Sequence, residues 1–316
     1  MSLLKSLLFS GVFIVLFGAC GNEATDNPAD VAVELNAPKF SLAQWSFHKA
    51  LFDGEIDNFD FIRIAAEMDF EGVEYVSQFF QDKVEDFTFL DSLNAVSAKA
   101  GVQNLLIMVD NAGNLGASDQ AERNLAVENC KKWVLAAKYL GCKSIRVNAH
   151  GDGSPTEMME ACTDAIGRLG AFAKAEGMTV LIENHGGISS NGAWLAELLT
   201  TLAPYDVGGI LDFNNWCIAR EGGGLWNGEC IEVYDRFKGM RELMPFAKSV
   251  SVKSFEFDEA GEETSMDYKR LVGIVQDAGY DGYFGIEFES STLPSREGVE
   301  KTRALVKKYW KTGESE

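Results

Sequence analysis

Side chains able to do chemistry are gathered where apolar runs stop. Residues 179–187 read TVLIENHGG, an apolar run closed by Glu183, Asn184 and His185. Residues 144–150 (SIRVNAH) stop at His150, 207–213 (VGGILDF) carry Asp212, and 283–288 (YFGIEF) carry Glu287. Residues 40–47 (FSLAQWSF) are followed by His48, and 247–255 (AKSVSVKSF) hold Lys253 late in the run. Taken singly, each is accounted for by a strand end meeting solvent or an acid bonded at a helix N-terminus. All three histidines of the chain falling at such ends, together with three acids, is harder to account for that way. Carboxylates converging in a half-buried mouth repel one another, so they share protons or bind a cation. Glu183, Asp212 and Glu287 are hard oxygen donors suited to manganese or magnesium, and an added imidazole would favour manganese, cobalt or zinc.

Bringing these residues together requires a scaffold that gathers strand ends. Two more strand-like runs, 72–77 (GVEYVS) and 103–110 (QNLLIMVD), make eight. Each is followed by a stretch of helical period. In 121–140 (AERNLAVENCKKWVLAAKYL), for example, Ala126, Val127, Cys130, Trp133, Val134, Ala137 and Leu140 fall on one face. Glycine, the expected helix-ending residue, precedes the next strand at Gly101, Gly141, Gly177 and Gly279. Eight such units argue for a parallel sheet covered by helices, and the number favours an α/β fold closed as a (β/α)8 TIM barrel, one domain over residues 39–312. An open doubly wound sheet is the alternative, but no G-x-G-x-x-G follows the first run. In a barrel, chemistry sits at the C-terminal ends of the strands, where these acids and histidines fall.

The 316 residues carry a net charge of −20, which repels a phosphate backbone and argues against a nucleic-acid partner. The N-terminus has Lys5, a short apolar run to Phe17, and Gly18-Ala19-Cys20. This pattern is an export signal over 1–19 rather than a membrane span. Cys20 resembles the acylated cysteine of a bacterial lipoprotein, followed by a polar tether over 20–38. The protein is therefore expected to be exported and held at a membrane, periplasmic or surface, only by its lipid. Of the other five cysteines, Cys217 and Cys230 flank a glycine-rich loop and could close it, with free thiols as the alternative, and Cys130, Cys142 and Cys162 read as buried thiols.

The segments VLIENHGG, GGILDFNNW and DAGYDGYFGIEFES resemble the xylose-isomerase-like TIM-barrel superfamily, which includes sugar phosphate isomerases and epimerases, over roughly residues 39–310. The resemblance implies Glu183, Asp212 and Glu287 as metal ligands. Its usual strand-seven histidine is replaced here by Ser251, in Ser251-Val252-Lys253-Ser254. Three arrangements stay open: a metal held with help from water, His185 or His150; a weakened metal site; or no metal, with Lys253 supplying the charge. SNGAWLAE and the VSxKS segment further resemble an exported, lipid-anchored branch of this superfamily.

The resemblance implies a metal-dependent isomerase or epimerase that removes a proton beside a carbonyl to give an enediolate, with Glu183 and Glu287 as acid and base. Lys253 would steady the enolate oxygen. His48, His150, His185 and Asn215 are expected to contact a small sugar or keto-glycoside, and Trp216 and Trp226, in the long loop 214–231, to stack on its ring. Trp45 reads equally well as core, and Arg220 and Glu221 as loop contacts to substrate. A lyase or hydrolase of 3-keto glycosides, using the same proton abstraction, is the second reading. A non-catalytic sugar-binding lipoprotein is the third, for which Ser251 is the argument.

Overall fold

The computed structural model describes residues 37–311, so the expected export signal, Cys20 and the tether up to residue 36 lie outside the described residues. All eight apolar runs contain strands: β1 Lys39–Ala43, β2 Gly72–Val76, β3 Gln103–Met108, β4 Ser144–Val147, β5 Thr179–Glu183, β6 Val207–Asp212, β9 Ala247–Ser254 and β10 Tyr283–Phe288. They pair in parallel and close in the order β1-β10-β9-β6-β5-β4-β3-β2. The intervening β7 Cys217–Arg220 and β8 Cys230–Val233 form a separate two-stranded ribbon. The fold is a (β/α)8 barrel, as the count of runs implies.

Helices cover the strands: α1 His48–Phe52 and α2 Asn58–Glu67, then α3 Phe87–Ala100, α4 Gln120–Tyr139, α5 Pro155–Ala175, α6 Gly192–Leu202, α7 Arg236–Leu243, α8 Tyr268–Asp277 and α9 Ser295–Tyr309. In α4 the expected apolar face is the buried one, and the Asp119 side chain caps the start by accepting from the Glu122 amide. Gly101 and Gly177 end their helices with φ of +72° and +73°, a conformation that side chains with a Cβ resist. Inside the barrel Ala43, Val76, Leu106, Met108, Leu181 and Ile210 form a small apolar plug, with Trp45 and Phe79 packed against it.

Two stretches depart from the expected pattern. Residues 40–47 are a strand only to Ala43, after which the chain turns through a 3-10 helix, Gln44–Phe47. The cause is polar. Gln44 reaches sideways, accepting from the Val76 amide at 2.8 Å and donating to Asn58 at 2.7 Å. The Ser46 hydroxyl clasps this turn to β10, donating to the Ile286 carbonyl and accepting from the Phe288 amide, each at 3.0 Å.

The second departure is the stretch 214–231, read as loop. Most of it is the β7–β8 hairpin, paired from Cys217↔Val233 to Arg220↔Cys230 and closed by a Cys217–Cys230 disulfide. The remaining cysteines, Cys130, Cys142 and Cys162, are buried free thiols.

Candidate active site

Strand alternation explains which side chains enter the mouth. On β9, Val250 and Val252 point outward into fully buried packing, so Ser251 and Lys253 point inward. Register then supplies their neighbours, since Ser251 lies beside Asp212 of β6 and Lys253 beside Glu287 of β10. The Lys253 ammonium is 2.6 Å from Glu287, 2.6 Å from Glu289 and 3.6 Å from Asp212. The Ser251 hydroxyl stands 3.1 Å from Asp212 and 3.0 Å from Glu287. One hydroxyl has one hydrogen, so both contacts bond at once only when one of the carboxyls carries a proton.

The second cation comes from β4. Arg146 donates through Nη1 to Asp110, just past β3, at 2.6 Å, and its Nε lies 2.9 Å from Glu183 on β5. Asn148 also donates to Asp110 at 2.9 Å. Burial opposes the charge on Asp110, yet Arg146 outweighs it and holds the carboxyl well below its ordinary range. Glu183 goes the other way. Burial lifts it to about 8, against the pull of Arg146 and with Asp212 and Glu287 adding to the rise. Burial likewise raises Glu287 and Asp212, with Lys253 opposing in both. Lys253 is held firmly charged because its carboxylate neighbours outweigh its burial.

These groups surround a cavity of about 610 Å³ whose wall includes Glu287, Glu289, Lys253, Arg146, Asp110 and His185. Asn215, Arg220 and Trp226 complete it from the β6 side. The structure sorts the expected site residues accordingly. Glu287, Lys253, His185, Asn215 and Trp226 line the cavity. Glu183 and Asp212 are buried and do not line it: Glu183 sits against Arg146 and the Asn215 amide, and Asp212 accepts from the backbone of Asn214 and Asn215.

His185 is half-buried, with its Nδ1 closed to solvent and unpartnered, and desolvation together with Arg146 drives its imidazole well toward the neutral form. His150 stands one step back, donating through Nε2 to the His185 carbonyl at 2.7 Å with its ring stacked on that of His185. His48 stacks on Trp45 at 4.8 Å and donates to its carbonyl, so it braces the rim. Asn184 accepts from the Asp212 amide and donates to its carbonyl, which accounts for the amide in the ENH segment as the tie between β5 and β6.

Two expectations are corrected. Trp216 is no sugar platform: only 1% exposed, it donates to the Phe213 carbonyl, and its ring lies so close to Gly239 of α7 that no larger residue would fit there. The expected metal centre of Glu183, Asp212 and Glu287 is not assembled either. Among the described residues no three His, Cys, Asp or Glu side chains are placed to hold a metal. The donor set explains this. Lys253 puts an ammonium at the point where Asp212 and Glu287 converge, Arg146 stands against Glu183, and Ser251 offers a hydroxyl where the family pattern has an imidazole. The residues present therefore do not fit a divalent ion.

Sequence reasoning missed Asp110, Arg146 and Glu289. The signal for Arg146 was available, because it alternates with Ile145 and Val147 as Lys253 does with Val250 and Val252. Below the site, Glu74 of β2 accepts from Ser41 at 2.6 Å, and burial lifts it to about 7. Gly285 of β10 makes room for it, since a Cβ there would lie 2.6 Å from Glu74 Oε2.

The profile of the Xylose isomerase-like TIM barrel family matches residues 62–309. The chain belongs to this family. No curated protein matches it in sequence. Among solved xylose-isomerase-like barrels it is similar to the 3-keto-D-glucoside 4-epimerase YcjR from E. coli, with TM-score 0.66 and 14% identity over 86% of this chain and 100% of that one. A sugar phosphate isomerase/epimerase from Parabacteroides distasonis has TM-score 0.62 and 17% identity over 90% and 97%. The IOLI protein, solved with a zinc atom, has TM-score 0.66 and 13% identity over 86% and 99%.

Proposed function

We propose that the chain is a sugar isomerase or epimerase that moves a proton beside a carbonyl through an enediolate. The observation that carries this reading is the Lys253–Glu287 pair, 2.6 Å apart on the cavity wall. Glu287, which burial raises and Lys253 pulls back toward its ionised form, is the base that takes the carbon-bound proton. Lys253 steadies the negative charge that develops on the carbonyl oxygen, as a fixed cation only 4% exposed. His185, neutral and on the cavity wall, meets a sugar hydroxyl through its ring.

The acid on the far side is Glu183, protonated at neutral pH; it lies behind the cavity wall against Arg146 and Asn215, so returning a proton requires these two side chains to move aside. β5 lies three strands from β10 around the ring, which suits delivery to the opposite face and inversion of a centre. Return by Glu287 itself to the adjacent carbon would give aldose–ketose isomerisation. Positive charge in this reading comes from Lys253 and Arg146, and no divalent ion is called on.

Elimination of a 3-keto glycoside from the same intermediate is the second reading, favoured by a cavity larger than one sugar ring. Export and acylation at Cys20 remain part of the proposal, and would bring the site to glycosides outside the cytoplasm. Incubation with a panel of ketoses and 3-keto glycosides in heavy water tests it. Deuterium should enter beside the carbonyl, and no incorporation across the panel would leave only the sugar-binding protein.

A further inference from the structure

We propose that Trp45, Phe52 and Phe79 form an outer subsite for a second, uncharged ring, so that the substrate is a neutral glycoside rather than a free monosaccharide. The inference rests on the sugar reading of the site and extends it outward.

The three rings form one cluster. Phe52 lies 5.0 Å from Phe79 and 6.0 Å from Trp45, and Trp45 is 6.1 Å from Phe79. They come from the segments after β1 and β2, at the strand ends where the site lies. Trp45 and Phe79 rest on the apolar plug inside the barrel, and Trp45 lines the cavity. Phe52 is 57% exposed, so it fills no core. Folding does not require it there, and leaving so large a ring in water at the rim of a cavity is unfavourable unless something covers it.

The ring of strands shows where the cluster stands. In the closed order, β1 and β5 are four places apart in a circle of eight, hence opposite each other. Trp226, carried by the hairpin after β6, leans over the end of β5: its ring is 4.6 Å from that of His185, and Gly186 leaves it room, since a Cβ there would lie 3.1 Å from the ring. The mouth therefore has an aromatic face on each of two opposite walls, with the charged groups on the strand ends between them. One sugar ring cannot lie at the Lys253–Glu287 pair and cover both walls. The cavity of about 610 Å³ falls in the range that encloses multi-ring ligands.

Chemistry narrows the occupant further. Flat rings take the C–H face of a sugar. Gln78, beside Phe79 on the cavity wall, offers an amide for its hydroxyls. The three rings offer no cation to a phosphate or a uronic acid, and the cations of the cavity wall are already engaged, Arg146 with Asp110 and Lys253 with Glu289, so a neutral ring suits the cluster.

The test is calorimetric titration of the purified full-length protein with matched pairs: methyl glucoside against cellobiose and maltose, and methyl galactoside against lactose. At least one disaccharide should bind about fivefold or more tightly than its methyl glycoside, and Phe52→Ala and Phe79→Ala should each bring that ratio close to one. Phe52→Ala alters an exposed residue and should fold, as a circular dichroism melt would verify. A ratio near one for every pair, no binding by any of them, or a ratio that survives both substitutions would overturn the subsite. So would a change of oligomeric state on Phe52→Ala in sedimentation, which would make the cluster a contact between subunits. Isotope exchange is scored separately. Exchange on monosaccharides without a second-ring gain would sink the subsite alone, whereas a second-ring gain without exchange would sink the proposed reaction alone.

Discussion

Lys253 touches three carboxylates, and the effect of removing it separates charge stabilisation from simple packing. Lys253→Met keeps most of the volume and loses the charge. Isotope exchange should fall by about a hundredfold or more, with sugar affinity changed much less, because the ammonium acts on charge that appears only in the transition state. Glu287→Gln should abolish exchange. Glu183→Gln should preserve exchange on the face served by Glu287 while stopping inversion, measured as loss of the epimeric product by chromatography. Dialysis against a chelator should leave exchange unchanged, since the cations of the site are side chains; a loss restored by manganese would return the metal to the mechanism. Alternation within apolar runs makes Asp212, Glu287 and Lys253 legible in the sequence alone. Arg146 obeys the same rule but sits mid-run, away from the strand end where chemistry is sought. The charge balance, and with it the fate of the metal, hangs on that residue and on Ser251. Trp216 is not legible in this way, because a tryptophan in a long loop can face either way until the packing of α7 against it is known.

The β7–β8 hairpin is where the sequence says least. Its strands are four residues each, and Ile231 and Val233 stay exposed, so no alternation with a buried face marks them. Only the two cysteines hint that the ends meet. The hairpin carries Trp226 and Arg220 to the cavity, and Arg220 is spent on its own turn, donating to the Leu225 and Gly228 carbonyls. With Cys217 and Cys230 both changed to Ser, the closed form of this element should be populated less. KM should rise about threefold or more with kcat little altered, as expected when only substrate holding is weakened. Trypsin should then cut after Arg220, and equal resistance in the two proteins would show that the disulfide is dispensable. The barrel elements are readable to within a few residues, because eight repeats of one pattern reinforce each other. The exception at residues 44–47 arises from Gln44 bonding across to β2, a tertiary contact that no local pattern contains.

Across the whole molecule, the burial of acids sets how stability responds to pH. Glu74 has a folded value of about 7 against an ordinary 4.5, so its neutral form is favoured in the fold. That contribution is complete below about pH 4.5 and is lost as pH rises through 7. Glu74→Gln does not titrate, so its stability relative to the parent should improve between pH 4.5 and pH 8 by roughly 3 kcal/mol at most, measured by urea unfolding. At the same scale, Cys20→Ser should release the protein from the membrane fraction, and a protein already soluble with Cys20 intact would end the lipoprotein proposal.

Closure of the ring has a consequence in time. The seam between β1 and β10 joins Lys39 to Tyr283, and the Ser46 clasp spans 240 and 242 residues of chain. Loop-closure entropy makes contacts so far apart late ones. During synthesis, β1 must therefore wait with one edge unpaired until nearly the whole chain has emerged. The strand that begins the barrel is the one that stays open to wrong partners longest, and a chain stalled before β10 has its first strand exposed, ready to pair with another copy.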